Sequence, residues 1–155
     1  MSHLLKTSQV LPYPIERVFD FFSRAENLAS ITPKSLGFQI LTPLPIAMGV
    51  GTLIDYRIRL HGLPMRWRTR ITGWDPPHQF VDLQERGPYA LWEHTHRFRS
   101  DGPDATVMED EVRYRLPFGP LGLVGLPLVR RQLRGIFDYR RTAVESLLRT
   151  WGKTG

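Results

Sequence analysis

Leu91-Trp92-Glu93-His94-Thr95-His96-Arg97-Phe98 alternates aromatic or imidazole side chains with charged and hydroxylic ones. A period of two belongs to a strand with one dry face and one wet face. Trp92 and Phe98 share a parity that must point inward, and it takes His94 and His96 with it. An inward imidazole needs a hydrogen-bond partner, because a buried unpaired polar group costs about 1–3 kcal/mol. The following strand offers one. A tight turn around Asp101-Gly102-Pro103 turns Thr106, Met108, Asp110, Val112 and Tyr114 inward, with Asp110 across from residue 94 or one pair away, at 92 or 96. Asp110 is then expected to be the only carboxylate on that inner face.

Upstream, the same period holds from Gly37 for some eighty residues. Phe38 and Ile40, then Ile54, Tyr56, Ile58 and Leu60, then Met65, Trp67, Thr69 and Ile71 take alternate positions, with charged residues mostly between them. Turn signals fall at His61-Gly62, Asp75-Pro76-Pro77 and Gly87-Pro88. This predicts an antiparallel meander. Before it, His3 to Leu11 reads as a strand ended by Pro12 and Pro14. Helical spacing then predicts short helices near Pro14–Ser23 and Ala25–Ser30. After it, Leu126 to Trp151 carries an apolar stripe through Leu133, Phe137, Val144 and Leu148, opposed by arginines, so a long helix must lay its stripe on the dry face of the sheet.

Strand, two short helices, a curved antiparallel sheet of about six or seven strands and a long C-terminal helix make an α+β chain that resembles the helix-grip fold of the SRPBCC superfamily. The likeness is carried by Gly87 to Phe98, Tyr114 to Pro117, the Gly/Pro-rich Phe118 to Gly125, and Arg130 to Arg140. It is similar to START lipid-binding domains, the major birch-pollen allergen and small bacterial cyclase/dehydratase-like proteins. The resemblance implies a cavity between sheet and C-terminal helix that binds an apolar or amphipathic small molecule.

With 155 residues, 41% hydrophobic and 23% charged, the chain reads as one soluble domain over 1–151, with disorder confined to 152–155. It has no cysteine, which removes disulfides, thiolate metal sites and cysteine nucleophiles. No secretory h-region stands at the start, so a cytoplasmic location is expected. The charge-free runs Ser35–Ile54 and Leu116–Val129 are broken by prolines and glycines and do not read as membrane helices. The net charge is +6, with arginine supplying 18 of 21 cations. On the outer face of the meander acids stand among the bases and no aromatics point outward, so ion pairs rather than a nucleic-acid partner are expected.

His94, His96 and Asp110 fit three chemistries: orienting a ligand's polar group, holding two strands in register as a closed network, or general acid/base catalysis of the cyclase/dehydratase type. His-x-His with a carboxylate also has metal-ligand character, yet no resident metal or cofactor is expected. The other pocket candidates are Tyr56, Trp67, Trp92, Met108 and Tyr114 from the sheet, and Leu133, Phe137, Val144 and Arg140 from the helix. No nucleophile motif, phosphate loop or HExxH is present, so a binder is expected ahead of an enzyme, with an interaction module carrying a vestigial cavity as a third reading. The apolar run at 116–128, followed by Arg130 and Arg131, offers a gate or a transient membrane contact through 116–131.

Overall fold

The computed structural model describes residues 1–151; the tail expected to be disordered, 152–155, lies outside them. Alternation and turn chemistry produce seven strands among the described residues: β1 (His3–Leu11), β2 (Gln39–Ile40), β3 (Leu53–Leu60), β4 (Leu63–Asp75), β5 (Gln79–Arg86), β6 (Leu91–Ser100) and β7 (Thr106–Arg115). They form one antiparallel sheet in the order β1-β7-β6-β5-β4-β3-β2, with the N-terminal strand closing against the last. Two helices, α1 (Ile15–Phe22) and α2 (Ala25–Ser30), follow β1, and α3 (Leu126–Leu148) follows β7 after a 3-10 segment at Gly119–Gly125. The fold is the helix-grip arrangement, with α3 held along the concave face. No helix among the described residues is long and apolar enough to cross a membrane.

The sheet bends where its register slips. β4 and β5 are out of step between Arg68 and Thr69 and again between Ile71 and Gly73. Each slip adds twist and turns the strand ends over the helix. A Cβ at Gly73 would stand 3.1 Å from Val81 Cγ2, so glycine lets the two strands bend at that point. The outer face is held by cross-strand ion pairs, among them Asp55 with Arg68, Arg97 with Glu111 and Arg113 with Glu93, as the mixing of acids and bases predicted.

The inner face packs as three clusters, the second and third bridged by the partly buried Tyr89 and Trp92. The largest joins α1 to the last third of α3, the end of β6 and the start of β7 through Phe19, Phe22, Phe98, Met108, Val144 and Leu148. A second lies on β3 and β4 around Tyr56, Ile58 and Trp67, and a third joins Val112 and Tyr114 of β7 to Leu133 and Phe137 of α3. Each fully buried aliphatic or aromatic side chain contributes roughly 1.5–3 kcal/mol. The helix ends at Leu148, three residues short of the expected Trp151. Trp151 lies in the closing turn, its backbone N–H bonded to the Leu147 carbonyl at 3.2 Å, and its indole N–H donates to Asp20 at 3.1 Å.

A buried charge network on one wall of an apolar cavity

The parity argument places His94 and His96 inward on β6, and the structure buries both. Asp110 pairs with His96 in register and is 3% exposed. Its contact, however, is diagonal: His94 Nε2 donates to Asp110 Oδ1 at 2.7 Å. The expectation that Asp110 is the only inward carboxylate is corrected by Asp82 on β5. Asp82 stands opposite His94 in register, and its Oδ2 accepts from His96 Nε2 at 2.7 Å. β5 carries apolar residues on both parities, Phe80 on one and Val81 and Leu83 on the other, so its sequence does not declare an inner face. The signal that finds Asp82 is its shared parity with Phe80, which stacks on the His96 ring at 4.0 Å.

Arg140 completes the network from α3. Its Nη2 donates to Asp110 Oδ1 at 3.2 Å and lies 3.3 Å from His96 Nδ1, while its guanidinium carbon sits 5.3 Å from the Phe22 ring centre and 5.7 Å from that of Phe137. His96 Nδ1 is also 3.4 Å from Asp110 Oδ1. That nitrogen can therefore accept from Arg140 when the ring is neutral or donate to Asp110 when it is charged, and neither state orphans it. His94 and His96 stack face to face, centroids 3.7 Å apart.

Burial and environment then push the groups apart. For His94, burial and the neighbouring His96 charge act together and hold its pKa below the ordinary imidazole value, with Asp110 only partly offsetting them. For His96, burial is again the largest influence, but hydrogen bonds to Asp110 and Asp82 outweigh it and the pKa is raised. Burial alone would raise both carboxylates. The His96 bond and the charges of His94, His96 and Arg140 hold Asp82 low, and Arg140 with the two imidazoles holds Asp110 well below the usual range. With His94 neutral and His96 charged, two carboxylates balance two cations.

Beside this network lies a cavity of about 180 Å³, bounded by α2, α3 and the inner faces of β3 to β6. Among the sequence candidates, Tyr56, Trp67, Trp92, His94 and His96 line it from the sheet, and Leu133, Phe137 and Arg140 from the helix. Tyr89 and Asp82 also line it and were not anticipated. Met108, Asp110, Tyr114 and Val144 lie outside this lining. The reason is where α3 rests. It presses directly on β7, so Tyr114 packs with Leu133 and Phe137, and Met108 and Val144 pack with the α1 cluster. The void is left over β3 to β6, and Asp110 stands behind the histidines as their anchor.

Asp82, His94 and His96 each offer a donor atom, and these lie within 4.8 Å of one another. The His96–Asp82 separation of 2.7 Å is nevertheless a hydrogen bond. Two ligands on one tetrahedral zinc, each at ~2.0–2.1 Å from the metal, stand roughly 3.3 Å apart. The arrangement suits proton exchange and hydrogen bonding more directly than metal coordination.

A family model described as polyketide cyclase / dehydrase and lipid transport matches residues 11–137. No curated protein matches the chain in sequence. Solved structures share its fold at low identity. TTHA0849 from Thermus thermophilus has a TM-score of 0.73 at 18% identity over 97% of this chain and 99% of that one. A START superfamily protein from Mycobacterium smegmatis gives 0.73 at 13% over 96% and 98%. The Zhui aromatase/cyclase from a Streptomyces species gives 0.71 at 15% over 97% and 95%. Since the family model covers most of the residues that build the sheet, the cavity wall and the first half of α3, the chain belongs to the polyketide cyclase / dehydrase and lipid transport family of the SRPBCC superfamily.

Proposed function

We propose that the protein binds an amphipathic small molecule, apolar for most of its length and carrying one polar group, in the cavity between the sheet and α3. The observation that carries this is the asymmetry of the cavity wall. Tyr56, Trp67, Tyr89 and Trp92 supply aromatic surface, whereas Asp82, His94, His96 and Arg140 gather on one side. A few convergent polar groups in an apolar concavity orient a ligand rather than merely hold it. Size narrows the class further. An apolar cavity of ~150 Å³ accommodates a benzene-sized molecule, so 180 Å³ takes a ring or a short chain without rearrangement. Larger ligands must displace the side chains at the mouth. Since Asp82 and Asp110 already face His94, His96 and Arg140 here, the ligand's polar group is best neutral, a carbonyl or hydroxyl, rather than an added carboxylate.

Native mass spectrometry of gently purified protein tests this, together with uptake of the apolar fluorophore N-phenylnaphthylamine. A retained adduct, or saturable fluorophore uptake displaced by a ring-bearing ketone or alcohol, is expected. An empty protein that takes up neither the fluorophore nor a single-ring ketone, the size the cavity accommodates without rearrangement, overturns the proposal in favour of an interaction module.

A second reading, an enzyme of the cyclase/dehydratase type, is favoured by one observation: each histidine is paired with its own carboxylate, His94 with Asp110 and His96 with Asp82. The lowered His94 would be the base and the raised His96 the acid, with Asp110 positioning His94 from outside the cavity. His96→Ala separates the readings: turnover vanishes if the protein is an enzyme, whereas only affinity shifts if it is a carrier.

A further inference from the structure

The antiparallel order places the starts of β1, β2, β4 and β6 and the ends of β3, β5 and β7 at one end of the sheet. α3 begins there too. This end carries several of the most exposed apolar side chains among the described residues. Phe118 is 81% exposed, Leu121 78%, Val124 83% and Leu128 57%, and Leu63 at the β3–β4 turn is 65% exposed. Ordinary monomer surfaces do not gather such residues in one place without a partner. The segment presenting them is also sterically constrained. A Cβ at Gly122 would collide with the Pro117 carbonyl, and Phe118 holds a left-handed φ of 70°. A bulky aromatic in that region costs stability, and the cost is borne by a side chain that buries almost nothing.

Charge identifies the partner. From Tyr114 to Phe137 the chain has arginines at 115, 130, 131 and 134 and no acid at all, and all four are exposed. Elsewhere on the sheet acids are interspersed with the arginines and pair with them. Exposed apolar side chains flanked by uncompensated arginines are what an anionic lipid surface takes up: the apolar groups enter below the headgroups and the guanidiniums meet the phosphates. The cavity lies close by. Leu36, Leu60, Gln132 and Ile136 line it while remaining partly exposed, and so mark a mouth between the α2 side and the first half of α3.

We propose that the end of the molecule formed by Leu63, the 118–128 segment and Arg130, Arg131 and Arg134 docks reversibly on anionic phospholipid membranes. The cavity-binding reading gives this docking a purpose, exchange of the ligand between bilayer and cavity, but the surface is tested without it. Cosedimentation with vesicles of phosphatidylcholine mixed with phosphatidylglycerol is expected to exceed that with phosphatidylcholine alone by at least ~10-fold at low salt, and to weaken as salt rises. Arg130→Glu with Arg131→Glu should abolish the difference. Phe118→Gly should lower partitioning several-fold yet raise the thermal midpoint, because it relieves the left-handed aromatic. A role for Phe118 in folding predicts the opposite sign. Equal binding to both vesicle types, or no binding to either, overturns the proposal. So does a concentration-dependent dimer, seen by sedimentation velocity without vesicle binding and broken by Phe118→Gly, which assigns the patch to a second copy. Uptake of N-phenylnaphthylamine by the wild-type protein in the absence of vesicles reports on the cavity alone, so the two readings fail separately.

Discussion

Asp110→Asn tests whether the charge network is a structural joint. The wild-type carboxylate is 3% exposed, accepts from His94 Nε2 at 2.7 Å and from Arg140 Nη2 at 3.2 Å, and faces His96 Nδ1 at 3.4 Å. The amide keeps the shape but removes the charge that balances Arg140, and it turns an N–H₂ toward groups that need an acceptor. Removing one member of a buried pair costs about 3–5 kcal/mol, against a total stability of roughly 5–15 kcal/mol for a domain. At about 2–4 °C per kcal/mol for a chain of this size, the midpoint of thermal unfolding should fall by ~6–20 °C. Circular dichroism at pH 7 measures it. Glu111→Gln, next in sequence but on the wet face in an exposed pair with Arg97, is the control and should move the midpoint little. Arg140→Met and the double variant close a cycle, with a coupling above ~1 kcal/mol expected for groups in direct contact. An Asp110→Asn midpoint within ~3 °C of wild type, or additive single variants, would refute the argument.

The opposite shifts of the two histidines give stability a maximum in pH. His96, raised in the folded state, adds stability that is fully present below the unfolded value of about 6.5 and is lost as pH rises through its folded value. His94, lowered, loses stability as pH falls below about 6.5, because the unfolded chain takes the proton first. Urea midpoints across pH should therefore peak near 6.5, and His96→Gln should flatten the alkaline side and, by removing a charge that holds His94 low, also soften the acid side. On further acidification the stability held by Asp82 and Asp110 disappears, Asp110 last. At the cavity mouth, Ile136→Trp should reduce N-phenylnaphthylamine uptake at least ~10-fold with little change in midpoint, since position 136 is only partly buried; unchanged uptake would place the probe elsewhere. Gly73→Ala should destabilise by roughly 1 kcal/mol, because its Cβ would press on Val81 at 3.1 Å; an unaffected midpoint would show that the β4–β5 bend yields there.

Strong alternation makes β6 and β7 readable from the sequence. Trp92, His94, His96 and Phe98 on one strand, and Thr106 to Tyr114 on the next, leave little choice of face. β1 was equally legible, from His3 to Leu11, between a polar start and two prolines. β5 was not, because Phe80 and Val81 compete for the inner face and the bulges opposite it break the register that would have decided between them. Asp82, the second carboxylate of the site, was hidden for that reason. Met108 and Tyr114 show another limit. Parity says which side of a sheet a residue takes, but whether that side meets a helix or a void depends on where α3 comes to rest, which no local pattern encodes.

The division of the core into three clusters has a thermodynamic consequence. A domain with one continuous apolar interior resists opening as a unit, whereas here the β3–β4 cluster meets α3 across a void and a charged joint at Arg140. Separation along that seam breaks the bridge that Tyr89 and Trp92 make between the two clusters but opens a wall that already faces the void, so amides of α2, β3 and the start of β4 should exchange with solvent before those of β6 and β7. An apolar guest filling the seam would supply the contacts the chain itself lacks. Binding and folding are then the same account: a guest at 100 times its dissociation constant adds about 2.7 kcal/mol, as much as a large buried side chain, and acts as a removable residue of the core.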